Sequence, residues 1–177
     1  RVLTSRSTGL MGREMALEAY RLGAGVTIVH GGSLPCVRNI PAANAGGMRE
    51  AVHGVFREVG ADIYVSAAAI SDFAPRRVRG KIRSGAAVNL RLDPLPKLLD
   101  EVLSVHHPEA IAFKLGRDEE AAARDLLGRG VGVVVINSPE AMGAPGSEVT
   151  ILTRDGGNQV RGSKEEVAAA IWTALLR

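Results

Sequence analysis

Short apolar runs alternate with amphipathic segments over most of the chain. Four runs have the continuous hydrophobicity of strands buried on both faces: residues 26–31 (VTIVHG), 62–70 (DIYVSAAAI), 110–115 (AIAFKL) and 131–138 (VGVVVINS). Segments with helical spacing accompany them, at residues 13–23, 48–60, 95–105 and 119–130. Gly23, Gly60 and Gly130 stand where helix C-caps are expected. The alternation predicts an α/β fold, Rossmann-like and doubly wound around a mostly parallel sheet.

The pattern changes in the last thirty residues. Residues 148–154 and 159–162 read as the two strands of a hairpin around the glycine turn DGGN. Ser163, followed three residues later by Glu166, forms a capping box and predicts a helix to the end of the chain. Trp172 is assigned to the core. We therefore expect the sheet to finish in a C-terminal β-hairpin and a closing helix.

Residues 1–177 are interpreted as a single domain with two unusual regions. A glycine-rich turn begins within the first few residues, although a doubly wound fold needs a strand ahead of it. We expect that N-terminal first strand to be missing; a shortened strand at RVLT is the alternative. Residues 74–94, with their prolines, glycines and run of arginines, predict a long mobile flap, and such loops are often functional.

Composition excludes several classes of protein. No apolar run approaches the ~18 residues of a membrane span, and no secretory signal opens the chain, so a cytoplasmic location without membrane contact is expected. Cys36 is the only cysteine, which excludes an intrachain disulfide and a thiolate metal cluster. A net charge of +3 and 3% aromatic residues argue against a nucleic-acid partner. The basic excess suits a small anionic ligand, or serves none.

The opening turn, residues 5–12 (SRSTGLMG), precedes a predicted helix. It has glycines only at positions 9 and 12, and the next strand ends in VHGG without an acidic residue, so an NAD-linked reductase is disfavoured. The free N–H groups and dipole of a helix N-terminus favour an anion, and Ser5, Ser7 and Thr8 can donate to phosphate oxygens. A capped helix with no ligand explains the same residues equally well.

A second polar group follows the strand predicted at 62–70. Ligands of open α/β sheets gather at the carboxyl ends of strands, and Ala67, Ala68 and Ala69 leave the backbone there open to close approach. Asp72 is suited to a base amino group or a metal ion, and Lys81 in the flap can swing over a phosphate. The alternative is that Asp72 caps a turn and Lys81 is a solvated charge.

These motifs together resemble the phosphopantothenate–cysteine ligases (phosphopantothenoylcysteine synthetases). AAISDFAP followed by GKIRSG is similar to the family's A-A-x-x-D-[FY]-x-x and K-I-K-[SK] pair. Five further stretches resemble family motifs in the same order, nearly end to end: RVLTSRSTGLMG, VTIVHGGSLP, LPKLLDEV, IAFKL and VVVINS. The resemblance implies an enzyme that joins 4′-phosphopantothenate and cysteine through an acyl-nucleotide, using CTP or ATP with Mg²⁺ held largely by the phosphates.

The resemblance also implies roles for individual residues. Arg1 and Ser5 would bind phosphopantothenate, Ser5 and Lys81 would act in catalysis, and no residue is assigned as a dedicated metal ligand. The nucleotide site would comprise Ser7, Thr8, Gly9, Ala67, Ala68, Ala69, Asp72, Lys81, Pro96, Lys97, Leu98, Leu99, Phe113 and Arg129. Family members form homodimers and are often fused to a flavin-dependent decarboxylase, and both arrangements are expected here.

The chain departs from the family pattern at several positions. Ser5 replaces an asparagine associated with the acyl-nucleotide, Arg83 replaces the second lysine of the flap motif, and Gly116 stands where the family has a glutamate. Asp125 replaces a family lysine, leaving Arg129 of that pair. The alternative function is therefore a nucleotide-binding domain of the same fold with weakened catalysis and a structural or regulatory role.

Overall fold

The predicted alternation forms five helices and nine strands in the described part of a computed structural model, which covers residues 7–76, 80, 85, 87–116, 119–137 and 146–177. The elements are α1 (Leu10–Arg21), β1 (Thr27–His30), β2 (Arg38–Pro41), α2 (Ala45–Glu58), β3 (Ile63–Ser66), β4 (Phe73–Pro75), β5 (Leu92–Pro94), α3 (Leu98–His106), β6 (Glu109–Leu115), α4 (Glu120–Gly128), β7 (Val133–Asn137), β8 (Gly146–Thr153), β9 (Gly156–Ser163) and α5 (Lys164–Leu175). None of the helices seen there is both long and apolar enough to cross a membrane.

The central sheet has the strand order β3-β6-β7-β8-β9. β3, β6 and β7 are parallel, and the β8–β9 hairpin adds two antiparallel strands at one side. β1 and β2 form a separate parallel pair, and β4 and β5 form a short antiparallel pair. The Rossmann-like fold class, with its C-terminal hairpin and closing helix, is confirmed.

Helices cover both faces of the sheet, as a doubly wound fold requires. On one face, α1 and α5 pack on alternate strand residues such as Ile111, Val133 and Val135, which are fully buried. On the other face, α4 packs on Ala110 and Ala112. α2 and α3 bury Val52 and Val102 on that same side, against Tyr64 of β3. Since each fully buried Val or Ile contributes about 1.5–3 kcal/mol, these two layers hold the strand ends in place.

A buried hydrogen bond fixes α1 against α5. The indole N–H of Trp172 donates to the carbonyl oxygen of Met15 at 3.0 Å, and both residues are buried. α5 itself begins at the predicted capping box: Ser163 Oγ accepts from the Glu166 N–H, and the Glu166 carboxylate accepts from the Ser163 N–H. These backbone and side-chain donors lower the pKa of Glu166. The closing helix thereby sets the position of α1 and of the turn that precedes it.

The structure differs from the predicted elements in three places. β3 ends at Ser66 rather than residue 70, because residues 67–69 turn away from the sheet and the Ile70 N–H donates to the Ala68 carbonyl at 2.9 Å. The C-terminal hairpin turns at Arg154 and Asp155, and Gly156 already pairs with Thr153. β2, β4 and β5 were not predicted as strands; β4 and β5 bring the two ends of the predicted flap together.

Two further expectations lie outside the described residues. One is the missing or shortened first strand, which concerns residues 1–6. The other is most of the flap motif, at residues 77–79, 81–84 and 86. Gly23, Gly60 and Gly130 do follow α1, α2 and α4 with φ of 87°, 71° and 102°, which confirms the three predicted C-caps.

Candidate functional site

The first turn of α1 presents open backbone donors. Gly9 is the N-cap residue in the left-handed conformation (φ 68°), and it supplies no side-chain hydrogen bond to the helix. Ser7 Oγ and Thr8 Oγ1 accept from the N–H groups of Gly9 and Leu10 at 3.3 and 3.4 Å, which orients both hydroxyls beside the helix start. All three predicted residues are exposed. The turn therefore has the donors and the dipole that suit an anion.

A close approach brings this turn to the end of β3. A Cβ built on Gly12 would lie 3.6 Å from the Cβ of Ala67, so the first turn of α1 packs directly on the residue that follows the strand. Ala68 and Ala69 are exposed beside it. The structure thus brings residues 7–9 and 67–69 together at what we call the carboxyl edge, where the carboxyl ends of the parallel strands meet.

Asp72 joins the same edge through the backbone. Its carbonyl accepts from the Leu95 N–H at 2.8 Å, directly ahead of Pro96, Lys97 and the start of α3. The Asp72 side chain is exposed, and within the described segments no group donates a hydrogen bond or pairs with its carboxylate. Pro96 and Lys97 are also exposed, and Lys97 is the N-cap residue of α3. A carboxylate with no partner among the described residues therefore stands beside the start of a second helix.

The remaining predicted residues are separated by the sheet. Leu98 is buried with Val52 and Val102, while Leu99 packs toward α4 on the same side. Phe113 of β6 lies on the opposite face, half-buried against the cluster that contains Met15. Leu98 and Leu99 therefore hold α3 on the sheet with their side chains, and Phe113 approaches the carboxyl edge from the α1 side.

The guanidinium of Arg129 pairs with the first turn of α3 and with α4. The residue follows α4 and precedes β7, at the amino ends of strands that rise about 3.3 Å per residue. Its guanidinium pairs with Asp100 at 2.5 Å and with Asp125 at 3.6 Å. The hydrogen bond and charge of Asp100 raise the pKa of Arg129. Asp125 thus helps to bind Arg129.

Asn137 is a candidate site residue that the sequence reasoning missed. It ends β7 at the carboxyl edge, and its carbonyl accepts from the Gly116 N–H at 3.0 Å. Its side-chain Oδ1 is buried and has no hydrogen-bond partner among the described residues. An unpaired buried acceptor is costly unless something completes it. The polar residue closing the apolar run VVVIN was the signal available in the sequence.

Arg1, Ser5 and Lys81 lie outside the described residues, so their assignments stay predictions. The donors present at the carboxyl edge fit a nucleoside triphosphate with Mg²⁺. The start of α1 offers N–H and hydroxyl groups to phosphates, and Asp72 offers one carboxylate. Mg²⁺ is commonly held by one or two carboxylates together with substrate phosphates.

A family model and individual relatives place the chain in the same protein family. All 177 residues match the family of the DNA/pantothenate metabolism flavoprotein C-terminal domain. The chain is 35% identical to the coenzyme A biosynthesis bifunctional protein CoaBC of Thermococcus kodakarensis over 99% of its own length and 46% of that protein. It is 32% identical to the Bacillus subtilis CoaBC over 88% of its length and 41% of that protein. The chain spans less than half of these relatives.

A solved structure has the same fold. The crystal structure of the C-terminal domain of CoaBC superimposes with a TM-score of 0.77 at 24% sequence identity, covering 98% of this chain and 84% of that one. At this identity the likeness concerns the fold alone.

Proposed function

The chain belongs to the family of DNA/pantothenate metabolism flavoprotein C-terminal domains, and from this we propose that it acts in coenzyme A biosynthesis as a phosphopantothenate–cysteine ligase. The carboxylate of 4′-phosphopantothenate attacks the α-phosphate of CTP, pyrophosphate leaves, and an acyl-cytidylate forms. The amine of L-cysteine then attacks the acyl carbon, which releases CMP and forms 4′-phosphopantothenoylcysteine. ATP is the alternative co-substrate, because the alanine backbone and Asp72 are able to meet either base.

The packing of Gly12 on Ala67 is the observation that carries this proposal. It sets the open start of α1 against exposed backbone at the carboxyl edge, so that one end of a nucleotide meets residues 7–9 and the other meets residues 67–69. Transfer to a carboxylate needs no protein nucleophile. It needs positioning of the reactants and cations on the developing charge.

Individual roles follow from position and charge. Ser7, Thr8 and Gly9 bind the triphosphate, and Asp72 accepts from the exocyclic amine of the base or shares Mg²⁺, which would supply positive charge at the phosphates. Lys81, assigned from sequence, stabilises the leaving pyrophosphate. Arg1 and Ser5, assigned in the same way, bind phosphopantothenate.

We also propose a homodimer formed through the β4–β5 pair. Phe73 and Leu92 on these strands are 52% and 44% exposed, and Val88 and Leu90 beside them are 51% and 54% exposed. Apolar side chains grouped on a two-stranded ladder suit a second copy better than water. The bifunctional names of the relatives support a flavin-dependent decarboxylase domain as a further partner.

Pyrophosphate release tests the proposal. We expect release from CTP with Mg²⁺ only when 4′-phosphopantothenate is present, followed by CMP release only when cysteine is added. The same assay with ATP separates the two co-substrates. Binding of CTP without pyrophosphate release would instead support the alternative of a domain with weakened catalysis.

The replacement of the family asparagine by Ser5 favours that alternative. Serine is shorter and lacks the amide that could hold an acyl-nucleotide. A Ser5→Asn variant distinguishes the two: a large gain in pyrophosphate release shows that the serine limits catalysis, whereas equal rates show that another group does this work.

A further inference from the structure

His30 closes β1 at the carboxyl edge, on the same face as the start of α1. α1 begins at that edge, runs about 18 Å along the sheet, and β1 returns after a short turn, so the carboxyl end of β1 lies where α1 began. Val26 packs in the α1 cluster, and the alternation of side chains puts His30 on that same face. The imidazole is partly buried.

Asn39 on β2 determines which nitrogen of His30 carries hydrogen. Its amide nitrogen donates to the carbonyls of Leu34 and Val37, both at 2.8 Å, and its Oδ1 accepts from the Leu34 N–H at 2.8 Å. Rotating the amide by 180° would place its NH2 group against the Leu34 N–H and its oxygen against the two carbonyl oxygens. Oδ1 is therefore the atom 2.8 Å from His30 Nε2, and Nε2 must donate to it.

This bond leaves Nδ1 as the proton acceptor of neutral His30. Nδ1 faces Gly32, where an added Cβ would lie 3.4 Å from it and 3.5 Å from Cε1. Gly32 is exposed and has no side chain to cover the lone pair. In the described part of the chain no charged side chain is paired or hydrogen-bonded with His30, and the group held against it from β2 is the neutral Asn39 amide.

We propose that His30 is the base that takes the proton from the attacking amine in the second half of the reaction, an inference that rests on the proposed ligase function. The amine of cysteine is an ammonium near neutral pH and cannot attack until it loses a proton. Nδ1 accepts that proton, the nitrogen forms its bond to the acyl carbon, and the bond to the CMP oxygen breaks. The second proton of the nitrogen is lost to water or to the phosphate of the departing CMP. The imidazolium then returns its proton to water. A histidine is suited to this because its ordinary pKa is close to neutral.

The test separates the two half-reactions in the full chain. His30→Gln places an amide N–H where Nε2 stood, so it retains the donor to Asn39 while removing the base. We expect pyrophosphate release within about twofold of wild type, and amide formation at saturating cysteine about 10- to 100-fold slower near pH 7. Equal loss in both half-reactions would overturn the proposal.

The pH profile distinguishes a base from a residue that only supports the loop. Wild-type amide formation should level off before the free amine deprotonates, whereas the His30→Gln rate should keep rising with deprotonation of the amine to about pH 9. A wild-type rate that rises over that whole range would contradict the role of His30, whether or not the variant folds.

Hydroxylamine supplies a matched control because it is uncharged near neutral pH and needs no base before it attacks. Wild type and His30→Gln should form the hydroxamate at similar rates, and a variant equally slow with both nucleophiles would refute the assignment.

The same assays separate failure of the ligase function from failure of the His30 role. If wild type releases no pyrophosphate with phosphopantothenate, the ligase function itself has failed. If wild type does release it and the variant forms the amide with cysteine as fast as wild type, only the role of His30 has failed.

Discussion

The carboxyl edge and the helical face formed by α2, α3 and α4 use polar residues in opposite ways. On the helical face the charges neutralise one another: Arg129 pairs with Asp100 and Asp125, and Arg49 donates to Glu101 at 2.6 Å. At the carboxyl edge, Asp72 and the Oδ1 of Asn137 have no partner among the described residues.

The difference shows where binding capacity is located. A charge already paired gains little from a ligand, whereas an unpaired acceptor or an open helix start gains a full set of bonds. Small residues reinforce the contrast, because Gly12, Gly32 and Ala67 leave space at the carboxyl edge. Sequence similarity assigned Arg129 to the phosphates, but its ion pairs with Asp100 and Asp125 make it part of the helical face. Substitutions in one region can therefore be measured against substitutions in the other.

Removing the cation assigned to the leaving pyrophosphate should have the largest effect. Lys81→Ala is expected to slow pyrophosphate release about 100- to 1,000-fold, because a positioned charge on the transition state is lost. The unfolding temperature should not change. Arg154→Ala, which removes an exposed charge from the β8–β9 turn, is the control. An unchanged rate in Lys81→Ala would remove Lys81 from the mechanism.

Separating α1 from β3 should weaken binding by a smaller factor. Gly12→Val adds two methyl groups beyond a Cβ that already contacts Ala67, and so moves the open N–H groups away from residues 67–69. We expect about tenfold weaker CTP binding by calorimetry, the equivalent of losing roughly one hydrogen bond to a charged group.

Gly54→Val is the matched control for that change. Gly54 also lies within a helix, α2, but a Cβ added to it would meet no atom within 4 Å. Its CTP affinity should equal that of wild type. Equal loss in both variants would show that the Gly12–Ala67 contact does not shape the site.

Substitutions on the helical face should change the stability of the protein and leave CTP binding unchanged. Arg129→Ala is expected to lower the free energy of unfolding by about 0.5–1 kcal/mol, since two partly exposed ion pairs are lost, while CTP affinity stays within about twofold. Arg124→Ala removes one exposed pair with Glu120 on the same helix and should cost about half as much. A tenfold loss of affinity in Arg129→Ala would return this residue to the nucleotide site.

The smallest effect concerns acid stability of the α2–α3 contact. His53 Nδ1 and His106 Nε2 are 2.8 Å apart, and His106 stacks on Phe56 with ring centroids 4.4 Å apart. Burial, followed by His53, Arg57 and His107, lowers the pKa of His106. The unfolded chain therefore takes up a proton first as pH falls through about 6.5, and the folded state loses stability below that value.

His106→Gln should reduce that acid dependence. Between about pH 7 and pH 5 we expect the fall in unfolding temperature to be about 2 °C smaller in the variant than in wild type. Parallel curves for the two proteins would show that the histidine pair does not titrate with folding.

Local patterns predicted the helices, the long strands and the capping box because each depends on neighbours in sequence. Gly60 ends α2 and Ser163 begins α5 for reasons that a few residues contain. β2 and β5 were missed because a polar, proline-containing segment of three or four residues becomes a strand only when a partner lies beside it. The paired state of Arg129 was equally invisible, because it depends on α3, some thirty residues earlier.

The site was predictable in part for the same reason. Residues 7–9 and 67–69 could be placed at one edge because parallel strands end together. Asn137 and His30 could not be recognised from spacing. Asn137 was singled out by an acceptor without a partner among the described residues, and His30 by an amide that three backbone groups orient. The first property depends on burial, and the second depends on contacts between segments that are separated in the sequence.

Amide chemical-shift changes on adding CTP with Mg²⁺ test the central claim most directly. We predict that the largest changes fall on Gly9, Gly12 and residues 67–69, with Asp125 and Arg129 unaffected. Changes concentrated at the end of α4, with residues 9, 12 and 67–69 unmoved, would contradict a nucleotide site at the carboxyl edge.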